Sequence, residues 1–155
     1  MEKNVWRSLM INLEKILVPV DGSPHSRRAL EIACSISEKF EGQIYVLHVV
    51  PMISSPTPYG DVAADQPYLA LEEAGEKILQ DCKKFAKDLG CDVEILIARG
   101  DPAEQIINTA IESNVDLVVM GRRGIGGIKR LLLGSVSDKV VQHLDCPVLL
   151  VKQRD

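Results

Sequence analysis

Asp116-Leu-Val-Val-Met-Gly-Arg-Arg-Gly124 is the stretch on which the fold turns. After its first residue, the run Leu117–Met120 is apolar at every position. A strand with one wet face would alternate, so this run predicts a central parallel strand covered on both sides. It passes directly into Gly121 and a glycine-rich loop.

The same grammar recurs on either side. Upstream, Asp101-Pro-Ala-Glu104 is a helix start: a capping acid, a proline in the first turn and an acid at the third position. Ile106, Ile107, Ala110 and Ile111 then mark a buried helical face. Downstream, Val136, Val140, Val141 and Leu144 share one side of a last helix, followed by the strand Cys146-Pro-Val-Leu-Leu-Val-Lys152. In the first half, Lys15-Ile-Leu-Val-Pro-Val20 reads as a strand, with Ser23 as cap and Pro24 in the first turn of the next helix. That helix shows Ala29, Ile32, Ala33, Ile36 and Phe40 at helical spacing, with Gly42 as a stop. The strand Gln43–Val50 follows.

Residues 51–66 hold three prolines, two serines, a threonine and a glycine without a period, and read as a surface loop. Leu71, Ala74, Ile78, Cys82, Phe85 and Leu89 form the next helical stripe, ended by Gly90. The strand Asp92–Ala98 partly alternates, which suits a place near a sheet edge. Strands alternating with helices over short links predict an α/β fold with right-handed crossovers and a parallel sheet between helical layers. Residues 1–12 read as an N-terminal extension and residues 13–153 as one domain.

Composition narrows the functions. The 155 residues carry a formal net charge of −4, with 46% hydrophobic and 4% aromatic content. An acidic chain has no general attraction to nucleic acid, which is not an expected partner. No apolar run approaches the roughly 20 residues that span a bilayer, and the first residues lack a secretory core, so a cytoplasmic protein without a membrane partner is expected. Cysteines 34, 82, 91 and 146 form no CxxC pair and have no histidine at metal spacing, and they read as free thiols.

In an open parallel sheet, ligands settle beyond the carboxyl ends of strands. Two such ends carry unusual residues: Pro19-Val20-Asp21-Gly22-Ser23, and the stretch from Gly121 to Ser137. In the latter, Gly121, Gly124, Gly126 and Gly127 crowd together, and Gly134 leads into Ser135 and a helix. Ser135 with Asp138 fits a loose capping box, and free amides at that helix start would suit a phosphate chain. Arg122, Arg123, Lys129 and Arg130 add positive charge. The competing reading is that the glycines only turn the chain and Ser135 only caps a helix. Neither a Walker A loop nor GxGxxG is present. His25, His48 and His143 show no pairing with a nucleophile, and His48, inside a strand, reads as a core histidine rather than a base.

Gly121-x2-Gly124-x9-Gly134-Ser135 resembles the G-x2-G-x9-G-[ST] signature of the universal stress protein family, in its ATP-binding branch. ILVPVDGS at 16–23, LHVV at 47–50, GDPAEQII at 100–107, DLVVMGRRG at 116–124 and CPVLLVK at 146–152 extend the resemblance over roughly residues 13–153. It implies a Rossmann-like, adenine nucleotide alpha hydrolase-like fold. That fold is a three-layer α/β/α sandwich around an open, twisted, mostly parallel five-stranded sheet in the order 3-2-1-4-5.

The resemblance also implies an adenine nucleotide as ligand: ATP, or ADP or AMP, with Mg²⁺ or Mn²⁺ carried by the phosphates. Pro19, Val20 and Asp21 would lie by the adenosine, with Asp21 accepting from ribose hydroxyls. Val49 would pack on adenine, and Met120 and Gly121 would border the nucleoside. Gly124, Gly134, Ser135, Val136 and Ser137 would donate to phosphates, and Arg123 would face them. No residue is assigned a catalytic or metal-ligating role. The resemblance further implies a homodimer formed through the last strand, Cys146 to Lys152. Three roles follow: a nucleotide-dependent regulatory switch in stress response, a slow ATPase or phosphotransferase, or a dimeric scaffold with a structural nucleotide.

Overall fold

Side chains leave successive strand residues on opposite sides, and in this chain both sides are apolar. The computed structural model describes residues 12–52, 65–125 and 133–153. Its strands are β1 (Lys15–Pro19), β2 (Gln43–Val50), β3 (Val93–Arg99), β4 (Leu117–Gly121) and β5 (Val148–Val151). They form one five-stranded sheet in the order β3-β2-β1-β4-β5, as expected, and every pairing is parallel. Ile16 lies opposite Ile44 on one side and Leu117 on the other, which sets the register of the three central strands.

That register sorts the core into two layers. Ile16, Val18, Ile44, Val46, Leu117 and Val119 pack against α1 (Pro24–Phe40) through Ala29, Leu30 and Ala33, and against α2 (Asp65–Asp88) through Leu79 and Ala86. Leu17, Leu47, Val49, Val118 and Met120 pack against α3 (Pro102–Glu112) through Ala103, Ile106 and Ala110, and against α4 (Ser135–His143) through Val140. Each fully buried Val, Leu or Ile side chain contributes roughly 1.5–3 kcal/mol, so losing either layer would unfold the sheet. β3 is an edge strand, as its alternation suggested, and β5 is the other edge.

Two helix starts follow the sequence reading. The Ser23 hydroxyl accepts from the Ser26 amide at 3.2 Å, and Pro24 opens α1. The Asp101 carboxylate accepts from the Glu104 amide at 3.0 Å, and Pro102 opens α3. The third does not. α4 is capped by Gly134 in extended backbone with no side-chain bond, and Ser135 is its first residue, so the expected Ser135–Asp138 capping box is not formed.

Other details differ for local reasons. α1 ends on Glu41 in the left-handed region (φ 57°), not on Gly42. Gly42 instead answers a close backbone approach, because a β-carbon there would lie 2.2 Å from the Leu13 carbonyl oxygen. α2 begins at Asp65, so the last two residues of the segment read as loop are helical, while residues 53–64 lie outside the described ones. Its buried line runs through Gly75, Leu79 and Ala86, and Ala74 is exposed. Gly75 lets the helix settle on the His48 ring, 2.6 Å from where a β-carbon would stand. Phe40, Leu89 and Ile111, expected on buried faces, are 51%, 47% and 60% exposed and sit at or just beyond the ends of α1, α2 and α3. Val141, one position round from buried Val140, is exposed too.

The layers position the site. The crossover from β1 leaves on the α1 side and that from β4 leaves on the α4 side. The crossovers therefore diverge between β1 and β4, and a crevice opens at the carboxyl ends of those two strands.

Candidate functional site

A cavity of about 320 Å³ fills that crevice. Pro19, Val20 and Asp21 reach it from the end of β1, Val49 from β2, and Met120 and Gly121 from β4. Arg123 and Gly124 come from the loop beyond β4, and Gly134, Ser135, Val136 and Ser137 from the start of α4. The twelve residues that the resemblance placed at the nucleotide thus line one cavity, whereas Arg122 does not. Gly126, Gly127, Lys129 and Arg130 lie outside the described residues.

The walls are chemically unequal. Leu47, Val49, Met120, Ile106 and Pro102 make an apolar side, a continuation of the core layer under α3. The opposite side is backbone: the amides of Ser135, Val136 and Ser137 open α4 and have no acceptor one turn back within the helix. α1, through Ser26, and α3, through Pro102, also start at this cavity. Three helix N-termini therefore give it a positive bias without a lysine among the described lining residues.

Asp21 joins the two loops. One carboxylate oxygen accepts from the Ser23 amide at 2.9 Å, and the other accepts from the Ile125 amide at 3.0 Å. The second bond ties the end of β1 to the loop after β4. It also gives Gly124 a definite job, because a β-carbon there would lie 2.5 Å from that oxygen. Gly121 is needed for packing: a β-carbon would stand 2.8 Å from the His25 β-carbon and 3.0 Å from its carbonyl carbon. Gly134 is under less constraint, with φ −75° and ψ 159° and nothing nearer than 3.4 Å to an added β-carbon.

Two expected donors are engaged differently. The Ser137 hydroxyl, 2% exposed, lies 2.9 Å from the Arg122 carbonyl and 3.0 Å from that of Gly134, so its single proton serves the chain itself. The Gly134 amide also donates to the Arg122 carbonyl, at 2.9 Å. What α4 offers a ligand is therefore amides rather than that hydroxyl. His48 is satisfied, as the strand reading expected, its Nδ1 donating to the Val20 carbonyl at 2.8 Å and its ring packing on Gly75, but it is half-buried and lines the cavity rather than lying in the core. His25 Nδ1 accepts from the Gln153 amide at 3.2 Å, which fastens the chain after β5 onto α1. Among the described residues, no three His, Cys, Asp or Glu side chains converge as a metal site.

Sequence reasoning missed Ser26, Leu47, His48, Pro102, Ile106 and Ile125 as lining residues. For Pro102 a signal existed. A helix that opens right after a parallel strand starts at the strand's carboxyl end, so the Asp101-Pro102 cap belonged beside the crevice. Leu47 and Ile106 carry only a core signal, because the cavity wall and the core are there the same surface.

The model of the universal stress protein family matches residues 12–152. The chain belongs to that family. Among universal stress proteins, YxiE of Bacillus subtilis is 37% identical over 145 residues, a match that covers 89% of this chain and 98% of YxiE. The solved universal stress protein UspA from Lactobacillus plantarum superposes with a TM-score of 0.83 at 25% identity, covering 91% of this chain and 99% of that one. A universal stress protein solved in complex with cAMP superposes with a TM-score of 0.71 at 28% identity, covering 92% and 99%. Universal stress protein architecture thus accounts for the sheet order and for the crevice between β1 and β4. Among the described residues no helix is long and apolar enough to cross a membrane.

Proposed function

We propose that the crevice binds an adenine nucleotide, ATP in the first instance, and that binding switches the loop after β4. The observation that carries this reading is one cavity with an apolar wall at one side and free helix amides at the other. A flat base gains from burial against Val49, Met120 and Ile106, and a phosphate chain gains from the amides of Ser135–Ser137 and the dipole of α4. Asp21 stands between them, an acceptor suited to ribose hydroxyls. Gly121 and Gly124 border the nucleoside and the start of the phosphate chain, and Arg123 supplies positive charge beside it. The neighbour solved with cAMP supports adenine nucleotide as the ligand class.

The switch follows from competition for Asp21. Its carboxylate holds the Ile125 amide at 3.0 Å. Ribose hydroxyls donating to the same carboxylate weaken that hold, so ligand and loop position become linked equilibria. This is a regulatory device in which occupancy is read out as loop geometry. Partner contact follows from β5, an edge strand with Leu149 38% exposed at its middle. Edge strands invite pairing, and two copies pairing there would form a two-fold homodimer.

Mass spectrometry of whatever nucleotide the purified protein retains tests the central claim, followed by titration with ATP, ADP, AMP and cAMP. Retention or micromolar binding of an adenine nucleotide is expected. Protein without nucleotide that also ignores all four ligands would overturn the reading. Multi-turnover release of ADP with Mg²⁺ present would move the assignment from switch to slow ATPase. Leu149→Asp should convert dimers to monomers in sedimentation, and an unaltered dimer would remove β5 as the interface.

A further inference from the structure

A second cavity, of about 540 Å³, lies at the amino ends of β2 and β3. It is lined by the C-terminal half of α1 and the turn from α2 into β3, and two cysteines share it: Cys34 from α1 and Cys91 from that turn. They are far apart in sequence, yet the fold brings both to the wall of this one cavity, where the Cys91 thiol donates to the Asp92 carbonyl at 3.8 Å. Both belong to the core layer under α1 and α2.

The two thiols are unequally placed. Cys34 is 6% exposed, while Cys91 is half-buried at the cavity wall. Cys91 is also held in position: its amide donates to the Ala86 carbonyl at 2.9 Å, directly after Gly90 turns the chain in the left-handed region (φ 77°). Burial, and the neighbouring Cys91 sulfur, push the Cys34 thiol well above the ordinary cysteine range. Cys34 is thus a poor first nucleophile and suited to second place.

We propose that Cys34 and Cys91 form a two-electron redox site that small uncharged peroxides convert to a disulfide joining α1 to the α2–β3 turn. In the first step the Cys91 thiolate attacks a peroxide oxygen. The S–O bond forms, the O–O bond breaks, and the departing hydroxide takes a proton to leave as water. In the second, the Cys34 sulfur attacks the Cys91 sulfenic sulfur. The S–S bond forms, the S–O bond breaks, and hydroxide leaves with the Cys34 proton as a second water. Two thiols and one hydrogen peroxide therefore give one disulfide and two waters.

The oxidant class follows from the surroundings. Glu31, Glu38, Glu41 and Asp92 line the same cavity, and the carbonyl ends of α1 and α2 face it. This negative field disfavours anionic oxidants such as oxidised glutathione and leaves small neutral ones. The linkage would close residues 34–91 into a loop and stabilise the fold by restricting the unfolded chain.

The test uses the full chain, reduced, freed of reductant and exposed to hydrogen peroxide or oxidised glutathione under native conditions. Remaining thiols are capped with maleimide before digestion and mass spectrometry. An intrachain Cys34–Cys91 peptide is expected with peroxide, accompanied by a rise in Tm of roughly 5–10 °C that dithiothreitol reverses. Cys91→Ser should abolish both. Cys34→Ser should leave a sulfenic acid on Cys91 that dimedone traps, and Cys34→Ala serves equally where the serine variant fails to fold. Recovery of both cysteines as maleimide adducts would overturn the proposal. So would oxidation of Cys91 to sulfinic acid without linkage, or pairing through Cys82 or Cys146. Glutathione capping of Cys91 ahead of peroxide linkage would overturn the assigned oxidant class.

Discussion

The crevice beyond β1 and β4 and the cavity before β2 and β3 are built from the same kinds of segment, turns between helix and strand, yet they are electrically opposite. At the first, α1, α3 and α4 begin, and α4 does so with no side-chain cap on the amides of its first turn. At the second, α1 and α2 end, and carbonyls and four carboxylates face it. A parallel sheet imposes this. Every strand points the same way, so every crossover helix points back, and the positive and negative helix ends collect at opposite edges. Glycines are used differently as well. Gly121 and Gly124 make room for the His25 backbone and the Asp21 carboxylate, whereas Gly90 supplies a left-handed turn and has nothing within 4 Å of an added β-carbon.

The largest test of this contrast is steric. Gly124→Ala would put a methyl 2.5 Å from the Asp21 carboxylate, which must swing away from the place where it would meet the ribose. Nucleotide affinity should fall at least about tenfold, or about 1.4 kcal/mol. Gly134→Ala, in backbone that any residue adopts, should stay within about twofold. Calorimetric titration of both separates a shaped site from a merely glycine-rich one, and equal losses would erase the distinction.

A charge test comes next. Ser135→Asp places a carboxylate in the first turn of α4, where it gains roughly 0.3–1 kcal/mol from the helix end but competes with a phosphate chain. Affinity should drop more for ATP than for AMP and hardly at all for adenosine. A uniform drop across the three would mean that the phosphates do not lie on α4.

On the α1 and α2 side of the sheet, burial pushes the Cys82 thiol up to about 11, with the Asp81 carboxylate adding to the rise and Arg27 opposing it. A folded thiol that holds its proton longer than the unfolded one contributes stability present below the unfolded value, near 9.0, and lost as pH climbs through about 11. Urea midpoints should therefore fall between these pH values. Cys34, raised by burial, acts in the same direction. Cys82→Ala should flatten the curve, and an identical slope in that variant would place the effect elsewhere.

The smallest expected effect is Glu38→Lys. It replaces like charge with opposite charge near the end of α1 and should stabilise by about 0.3–1 kcal/mol, leaving nucleotide affinity unchanged. A change in affinity would show that the two ends are coupled through α1.

Much of this was legible in the chain because the signals are local. The Ser23 and Asp101 caps each join groups only three residues apart, and the solid apolar run Leu117–Met120 declared a covered strand. The lining of the crevice was legible for a related reason, since residues at strand ends go where the strands go. The cap of α4 was misread because Ser135 and Gly134 both suit that position, and the structure spends the nearby hydroxyl, that of Ser137, on the Arg122 carbonyl instead. Ala74 was misread because a stripe three or four residues apart fits two adjacent lines on a helix. The burial of Gly75, Leu79 and Ala86, with the His48 ring against Gly75, shows which line faces the sheet.

The sequence by itself determined the alternation of strands and helices, two helix starts and the polarity of the sheet, since each depends on neighbours within a turn or two. Tertiary structure decided which glycine shields which side chain, that Asp21 reaches Ile125 across 104 positions, and that Cys34 and Cys91 share one cavity. Such pairings depend on strand order and register, which place residues side by side in the folded chain whatever their distance along it.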